Sequence, residues 1–226
     1  MSKLTWDQES ERLYETGVSE CALYVYDSSK KAYGTGVAWN GIKGITESPS
    51  GAETTSLYAN NSKYLDLVSV EELSGTINAY MFPDEWAKCD GSTEIAPGVY
   101  VGQQSRASFG LVYKTIIGND TEGTDHGYKL HIIYGGKASP SERTYNSVND
   151  SPEANDLSWT FKTTPVEVKG HNKTSIITID STKVDGEKLK NLEKILYGNE
   201  TEEPKLPLPD EIFTTLGATV PAQAQG

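Results

Sequence analysis

The chain has 226 residues and carries 32 acidic against 20 basic side chains, a formal net charge of −12. This excess of acid argues against a protein that grips nucleic acid through a basic stripe, which would have to displace counterions from phosphates. The two cysteines are too few for a disulfide framework, and we expect both to be free thiols. The polar N-terminus and the lack of an apolar run near ~20 residues predict neither a signal peptide nor a membrane segment.

The first part of the chain predicts short strands separated by turns. Residues 1–17 are expected to form an N-terminal arm, and apolar alternation predicts strands at 21–26, 33–39 and 42–47. An Asn-Gly dipeptide between the second and third of these strands is typical of a tight hairpin turn. The pattern indicates an antiparallel β protein.

A long polar segment follows the third predicted strand. Residues 48–61, SPSGAETTSLYANN, combine Pro, Gly and Asn with Ser and Thr, which predicts a loop. Loops longer than about 12 residues inside compact domains are usually functional or disordered. From the residues alone, a loop that reaches a neighbouring subunit and a disordered loop both stay open. The candidate contact residues are Ser50, Glu53, Thr55, Tyr58, Asn60 and Asn61.

The clearest alternation in the chain lies between residues 72 and 81. Successive side chains of a strand point to opposite faces, and here the two faces differ in polarity. The apolar face carries Leu73, Gly75, Ile77, Ala79 and Met81, and the polar face carries Glu72, Ser74, Thr76, Asn78 and Tyr80. We expect a strand with one buried and one wet face. A strand at 65–70 precedes it, and a short helical turn at 83–90, ended by Gly91, follows it.

The second half of the chain predicts further strands and one helix. Alternation marks strands at 105–117, 128–134, 157–168 and 174–180. In residues 186–197, apolar side chains recur at helical spacing, and Asp185 and Gly198 are placed to cap the two ends. Residues 199–226 are acidic and rich in proline, so we expect a flexible tail, with room for one short amphipathic turn at 210–216.

Signatures of catalysis are absent from the sequence. There is no nucleophile elbow, phosphate-binding loop or zinc-binding motif, and the three histidines stand far apart. The oxygen-rich run 119–125 lacks the twelve-residue spacing of a calcium loop. Glu71 and Glu72 are adjacent on a strand and point to opposite faces, so they cannot flank one glycosidic bond. We therefore expect neither an enzyme nor a cofactor.

Several sequence blocks follow one another in a recognisable order. They are KYLDLVSVEELSGTINAYMFPDEWAKCDG (63–91), GQQSRASFGLVYKT (102–115), GNDTEGTDHGYKLHIIYGGKASPSERTYNSVNDSPEA (118–154), LSWTFKTTPVEV (157–168) and TSIITIDSTKV (174–184). This order resembles that of the major tail proteins, or tail tube proteins, of bacteriophages with long, non-contractile tails. The resemblance covers residues 18–198 and rests on the series of blocks rather than on any single motif.

The resemblance implies a fold, an assembly and a location. The fold is mainly β (α+β), an antiparallel β-barrel or sandwich of about eight strands with one C-terminal amphipathic helix and one short helical turn. A tail tube domain at 18–198 lies between the arm at 1–17 and the tail at 199–226. Copies of the chain form hexameric rings that stack into a hollow tube, the conduit for DNA delivery into the host. The implied location is the virion, after assembly in the cytoplasm of the bacterial host.

The resemblance also implies partners and a polar inner wall. The partners are further copies of the chain, the tape measure, tail terminator and distal tail proteins, and double-stranded DNA that passes without sequence-specific binding. The polar strand face supplies the lumen-lining candidates. These are Glu72, Ser74, Thr76 and Asn78, with Arg106 and Ser108 as further candidates on an expected partner strand. Which strand faces the lumen stays open at the level of sequence.

A β-sandwich carbohydrate-binding or adhesion module is the alternative. Such a module usually presents aromatic side chains on a concave face. The four tryptophans do not cluster in the sequence, and Trp39 and Trp159 fall on apolar strand faces, which favours core packing. A tube protein should form long tubes or rings on purification, whereas a sugar-binding module should stay small and bind a glycan column.

Overall fold

The computed structural model describes residues 3–147, 150 and 154–218. The strands are β1 (Tyr14–Asp27), β2 (Ala32–Tyr33), β3 (Val37–Ala38), β4 (Ile42–Ser50), β5 (Thr54–Ala59), β6 (Ser62–Val68), β7 (Glu72–Ala79), β8 (Thr93–Ala96), β9 (Val99–Val101), β10 (Phe109–Asn119), β11 (Gly123–Ala138), β12 (Leu157–Thr163) and β13 (Ile176–Asp180). The helices are α1 (Trp86–Asp90), α2 (Gly186–Tyr197) and α3 (Pro209–Leu216). None of the helices described is long and apolar enough to cross a membrane.

The main sheet is antiparallel and has nine strands among the described residues. Its hydrogen-bonded order is β2-β1-β10-β11-β12-β7-β4, with β13 beside β11 and β3 beside β1. Within the described part of the chain the sheet does not close into a barrel, and β4 is unpaired on its outer side. The predicted mainly β, antiparallel fold is confirmed, in the form of an open, folded sheet.

Strand β11 divides this sheet into two parts. Its residues 129–133 pair with β13, and its residues 136–138 pair with β12. Between the two segments, Gly135 has φ of 62°. A Cβ atom at this position would collide with the backbone of Thr164, so the change of partner requires glycine. Beyond this point β12, β7 and β4 fold over one face of the other strands.

The first hydrophobic core lies between the two parts of the sheet. Ile77 on β7 and Trp159 on β12 are fully buried against residues of β1 and β10, including Leu23. The short helix α1 closes one end of this core. Its Trp86 ring lies 4.7 Å from the ring of Trp39 and 5.6 Å from that of Trp159, in tilted and edge-on arrangements that aromatic pairs favour. The predicted helical turn is thus an anchor for the sheet.

The second core lies on the opposite face of β1, β10, β11 and β13, under α2 and α3. Helix α2 buries Leu189, Leu192 and Leu196, as its spacing predicts. The carboxylate of Asp185 accepts a hydrogen bond from the backbone N–H of Lys188 at 3.0 Å and caps the first turn. The predicted amphipathic helix is confirmed, with the same bounds.

The segment after α2 differs from the predicted flexible tail. Leu206 and Ile212 are 3% and 0% exposed, and the Tyr134 hydroxyl donates a hydrogen bond at 2.8 Å to a carbonyl of this segment. Proline here starts a helix, because Pro209 occupies the first turn of α3, where no N–H donor is needed. The charged residues between the apolar ones hid this buried face. Residues 219–226 of the predicted tail lie outside the described residues.

The predicted loop at 48–61 is wrong, because the chain there forms strands. Residues up to Ser50 continue β4 and pair with β7. Residues 54–59 form β5, which makes a hairpin with β6. Composition suggested a loop because Pro, Gly and Asn occur there together with Ser and Thr, but Thr54 and Thr55 are β-branched and suit a strand. Pairing with the following segment decided the outcome.

Other boundaries also shifted. The N-terminal arm is shorter than 1–17, because residues 14–16 already pair with β10, and its first two residues lie outside the described part. The strand predicted at 33–39 is split into β2 and β3, and the hairpin of β8 and β9 was not predicted. Short strands next to turns carry too few alternations to be read with accuracy.

Replacing Ile212 with alanine tests the packing of the C-terminal segment. The fully buried side chain leaves a cavity in the second core, so the free energy of unfolding should fall by about 2–5 kcal/mol in a urea titration. The matched control is Leu208→Ala. Leu208 is 53% exposed in the same segment, and its replacement should cost less than about 0.5 kcal/mol. Equal small effects in both variants would show a loose tail.

Candidate functional site

Small polar side chains cover the outer face of β4, β7 and β12. On β7, Gly75, Ile77 and Ala79 are buried, so the residues between them point away from the core. Directly opposite residues of paired strands share a face. We call the following set the hydroxyl face: Thr46, Ser48 and Ser50 on β4, Glu72, Ser74, Thr76 and Asn78 on β7, and Ser158, Thr160 and Lys162 on β12. The four β7 candidates therefore lie together at its centre.

The hydroxyl face carries few charges for its size. Glu72 and Lys162 are its only ionisable members, and the hydroxyl of Ser74 donates a hydrogen bond to the carbonyl of Ser48 at 2.9 Å. In the described residues, no group of three or more His, Cys, Asp or Glu side chains could hold a metal ion. The face is therefore a hydrated, nearly neutral surface.

The structure separates Arg106 and Ser108 from this face. The neighbours of β7 are β4 and β12, whereas these two residues lie just before β10. Arg106 Nη1 is 3.6 Å from Asp90 Oδ1, at the end of α1, and its side chain is largely buried. The predicted pairing of their strand with β7 is wrong, because alternation fixes the two faces of a strand but not which strand lies beside it.

A two-stranded hairpin projects from the main sheet next to the hydroxyl face. We call residues 51–71 the hairpin arm. It contains β5 and β6, which pair only with each other among the described strands. At its tip Asn60 and Asn61 have φ of 50° and 62°, the left-handed conformation that suits a two-residue hairpin turn. Because Ser50 and Glu72 are cross-strand partners, the arm begins where the β4–β7 ribbon ends.

The hairpin arm consists of only two strands, yet it exposes many large apolar side chains. Every residue of β6 is exposed. The exposed large side chains of the arm are Leu57, Tyr58, Tyr64, Leu65, Leu67, Val68 and Val70. A lone two-stranded hairpin is marginally stable in water, and a free apolar edge invites pairing with another chain. Of the predicted contact residues, Glu53, Thr55, Tyr58, Asn60 and Asn61 lie on this arm and are exposed, and Ser50 ends β4 at its base.

Inside the arm, a few polar contacts hold the strands in register. The Ser56 hydroxyl donates to Asp66 at 2.6 Å, and Lys63 Nζ lies 2.7 Å from the same carboxylate. Lys63, followed by Ser56, holds the pKa of Asp66 below its ordinary value. These contacts are all at the surface, where a single ion pair contributes little stability. These contacts therefore contribute little to the rigidity of the arm.

A polar cluster on the core-facing side of β4 connects this strand to β10 and β11. Glu47 Oε1 lies 3.2 Å from His131 Nδ1 and also accepts a hydrogen bond from the Tyr113 hydroxyl. The His131 and Tyr113 rings are stacked, with centroids 4.8 Å apart and planes within 3°. Contact with His131, followed by the Tyr113 hydrogen bond, lowers the pKa of Glu47 although burial opposes this. No pattern in the sequence indicated this cluster, because its members are far apart along the chain.

No protein-family model and no curated protein sequence matches the chain. In overall structure it is similar to a chain of the cryo-EM structure of the anti-feeding prophage (AFP) baseplate, 6-fold symmetrised. The sequence identity is 8%, the TM-score is 0.32, and the match covers 81% of this chain and 100% of that chain. Similarity at this level supports no statement about function.

The Glu47 cluster predicts a pH-dependent attachment of β4. A carboxyl whose pKa is lowered by folding stabilises the folded state above its ordinary pKa of 4.5, and this stability is lost as the pH falls through the lowered value. Glu47→Gln should therefore reduce the free energy of unfolding at pH 7, and the gap to the wild type should close at an acidic pH below the lowered pKa of Glu47. The exposed Glu72→Gln serves as the control and should show little effect at either pH. An equal loss for Glu47→Gln at both pH values would contradict the prediction.

Proposed function

We propose that this chain is a bacteriophage structural protein whose copies assemble into the tail tube through which DNA passes. The order of its sequence blocks supports the family. The structural observation that carries the assembly is the hairpin arm, since a chain that exposes such a ribbon of leucine, valine and tyrosine gains stability when a partner covers it.

In this proposal the hydroxyl face lines the lumen. DNA must slide along the inner wall, so the wall should present neither a basic stripe, which would hold phosphates, nor apolar groups, whose exposure to the water in the lumen is unfavourable. Serine and threonine side chains fulfil both conditions. Glu72 is the member that repels phosphates, and Lys162 is the member that attracts them, so the face stays nearly neutral.

Two free strand edges support ring formation. Among the strands that the structure describes, none pairs with the outer edge of β4, and residues 14–20 of β1 have a partner only on the β10 side. Pairing of the β4 edge of one copy with the β1 edge of the next joins two different surfaces, as a cyclic ring requires. A closed ring removes both exposed edges, which otherwise promote uncontrolled association. The hexameric number comes from the family resemblance.

The alternative of a carbohydrate-binding module has less support. Three of the four tryptophans, Trp39, Trp86 and Trp159, are at most 3% exposed and pack against one another. They cannot stack on a sugar ring without unfolding the first core. The tape measure, tail terminator and distal tail proteins belong to the proposal as partners, and the virion as the location, because the resemblance implies them.

Removing the hairpin arm tests the assembly. Ser50 and Glu72 are cross-strand partners, so an Asn-Gly turn can replace residues 51–71 and close the ribbon directly. This armless variant should unfold as cooperatively as the wild type but should form no tubes in negative-stain images of the concentrated protein. The control Asn61→Gly gives the arm tip the same Asn-Gly turn, keeps the arm and should form tubes. Normal tubes from the armless variant would contradict the role of the arm, and a wild type that stays monomeric at high concentration would contradict the proposed function.

A charge placed on the hydroxyl face tests the lumen. Thr160 is exposed on β12, and Thr160→Lys adds a cation that attracts DNA within the Debye length of about 8–10 Å at ordinary salt. Phage assembled with this variant should form intact tubes and release DNA several-fold more slowly. The matched control is Asn191→Lys on the exposed side of α2, which should release DNA at the wild-type rate. Equal release rates for both variants would contradict the assignment of this face.

A further inference from the structure

A cavity lies between the two parts of the main sheet, at the base of the hairpin arm. Its volume is about 280 Å³, and we call it the Ser175 cavity. One side comes from β4 and the beginning of β7, and the other side comes from Pro165 and from the residues that lead into β13. Because both parts of the folded sheet line the cavity, it is present only in the folded chain.

A buried hydroxyl group in this cavity has no partner. Ser175 is 6% exposed, and within the described part of the chain its Oγ atom makes no hydrogen bond. The backbone of Ser175 is satisfied, because its carbonyl accepts a hydrogen bond from the N–H of Tyr134 at 2.9 Å. A buried polar group without a partner costs free energy, so nearly all such groups bind protein, water or a ligand. Ser175 therefore indicates an occupant of the cavity.

Two carboxylates give the cavity its charge. Glu47 lies on the core-facing side of β4, and Glu71 is exposed just before β7. The contacts of Glu47 with Tyr113 and His131 both use its Oε1 atom, which leaves Oε2 available to a ligand. Together with the hydroxyl of Ser175, the carboxylates supply three acceptors from three segments of the chain.

Lys173 also lines the cavity but does not reverse its charge. Its Nζ atom lies 2.6 Å from Oε1 of Glu167, so the ammonium group already has a carboxylate partner. The lining as a whole keeps a negative charge and favours a cation over an anion.

Apolar walls surround these polar groups. Pro49, Leu73, Pro165 and Ile176 line the cavity and offer surface against which methylene groups can be buried. A concave site with apolar walls and a few convergent polar groups is the usual form of a small-molecule site. An ammonium group has three N–H donors, which match the three acceptors in number. The lining therefore fits an ammonium group at the end of a short alkyl chain.

We propose that the Ser175 cavity binds a small primary amine. The ammonium group donates hydrogen bonds to Ser175 Oγ and to the carboxylates of Glu47 and Glu71, and the alkyl chain lies against the apolar walls. Because the lining comes from both parts of the sheet, the bound amine joins them and stabilises the folded chain. The inference rests on the cavity alone, so it and the proposed tube can fail independently.

Three probes with the same five-carbon chain test the chemistry of the ligand. Pentylamine is a cation, pentan-1-ol is neutral and pentanoate is an anion, and each is added to dilute protein at pH 7 and constant ionic strength. Pentylamine should raise the midpoint of thermal unfolding along a saturable curve in the millimolar range, as so small a ligand allows. The other two probes should give no saturable rise. No such rise with pentylamine, or an equal rise with either other probe, overturns the proposal.

Two substitutions locate the bound amine. Ser175→Ala removes a hydroxyl that has no partner, so the free protein should be as stable as the wild type or slightly more stable, yet pentylamine should bind about tenfold more weakly. Glu71→Gln removes an exposed charge at the cavity and should also weaken binding several-fold without loss of folding.

The matched control is Glu200→Gln, which removes the same charge from the exposed loop after α2 and should bind pentylamine as the wild type does. Wild-type affinity in both Ser175→Ala and Glu71→Gln, or an equal loss in Glu200→Gln, overturns the assignment of the cavity and leaves the proposed function untouched.

Discussion

The change of partner along β11 is the constraint on which the rest of the structure depends. A single strand pairs first with β13 and then with β12, and Gly135 makes the change possible because no Cβ atom fits there. The bend folds β12, β7 and β4 over the remaining strands and creates the first core between them. The same bend turns the other face of these three strands outwards. The first core and the hydroxyl face therefore lie on the two faces of the same three strands.

The strands β1, β10, β11 and β13 are covered on both faces, by the first core on one side and the second core on the other. The second core is completed by α2 and by the segment around Leu206 and Ile212, so the body of the protein needs no partner. Many of the exposed apolar side chains lie instead on two hairpins outside the main sheet, the hairpin arm and the hairpin of β8 and β9. A chain that buries its core so fully and leaves these hairpins bare separates folding from assembly. Association can then be made or prevented without unfolding the subunit.

The electrostatics of the chain fit this separation. All of the net charge of −12 comes from side chains away from the hydroxyl face, whose one acid and one base cancel. A negative exterior keeps subunits apart at low concentration and acts over about one Debye length. In the proposed tube, short-range contacts between apolar hairpins decide where subunits join. A neutral hydroxyl surface keeps its water and holds no phosphate tightly, as a passage for DNA requires.

The sequence by itself determined the local elements whose periodicity is strong. It predicted α2 with its cap at Asp185, the short helix before Gly91, and the two faces of β7, because periods of 3.6 and 2 are properties of single segments. Only the tertiary structure decided which strands lie beside β7, that Arg106 belongs with Asp90, and that Glu47 reaches His131. Such partners are far apart in the chain, and alternation carries no information about them. The hairpin arm and the packed C-terminal segment were misread for the same reason, since a polar composition looks alike in a loop and in a strand or helix that another segment holds in place.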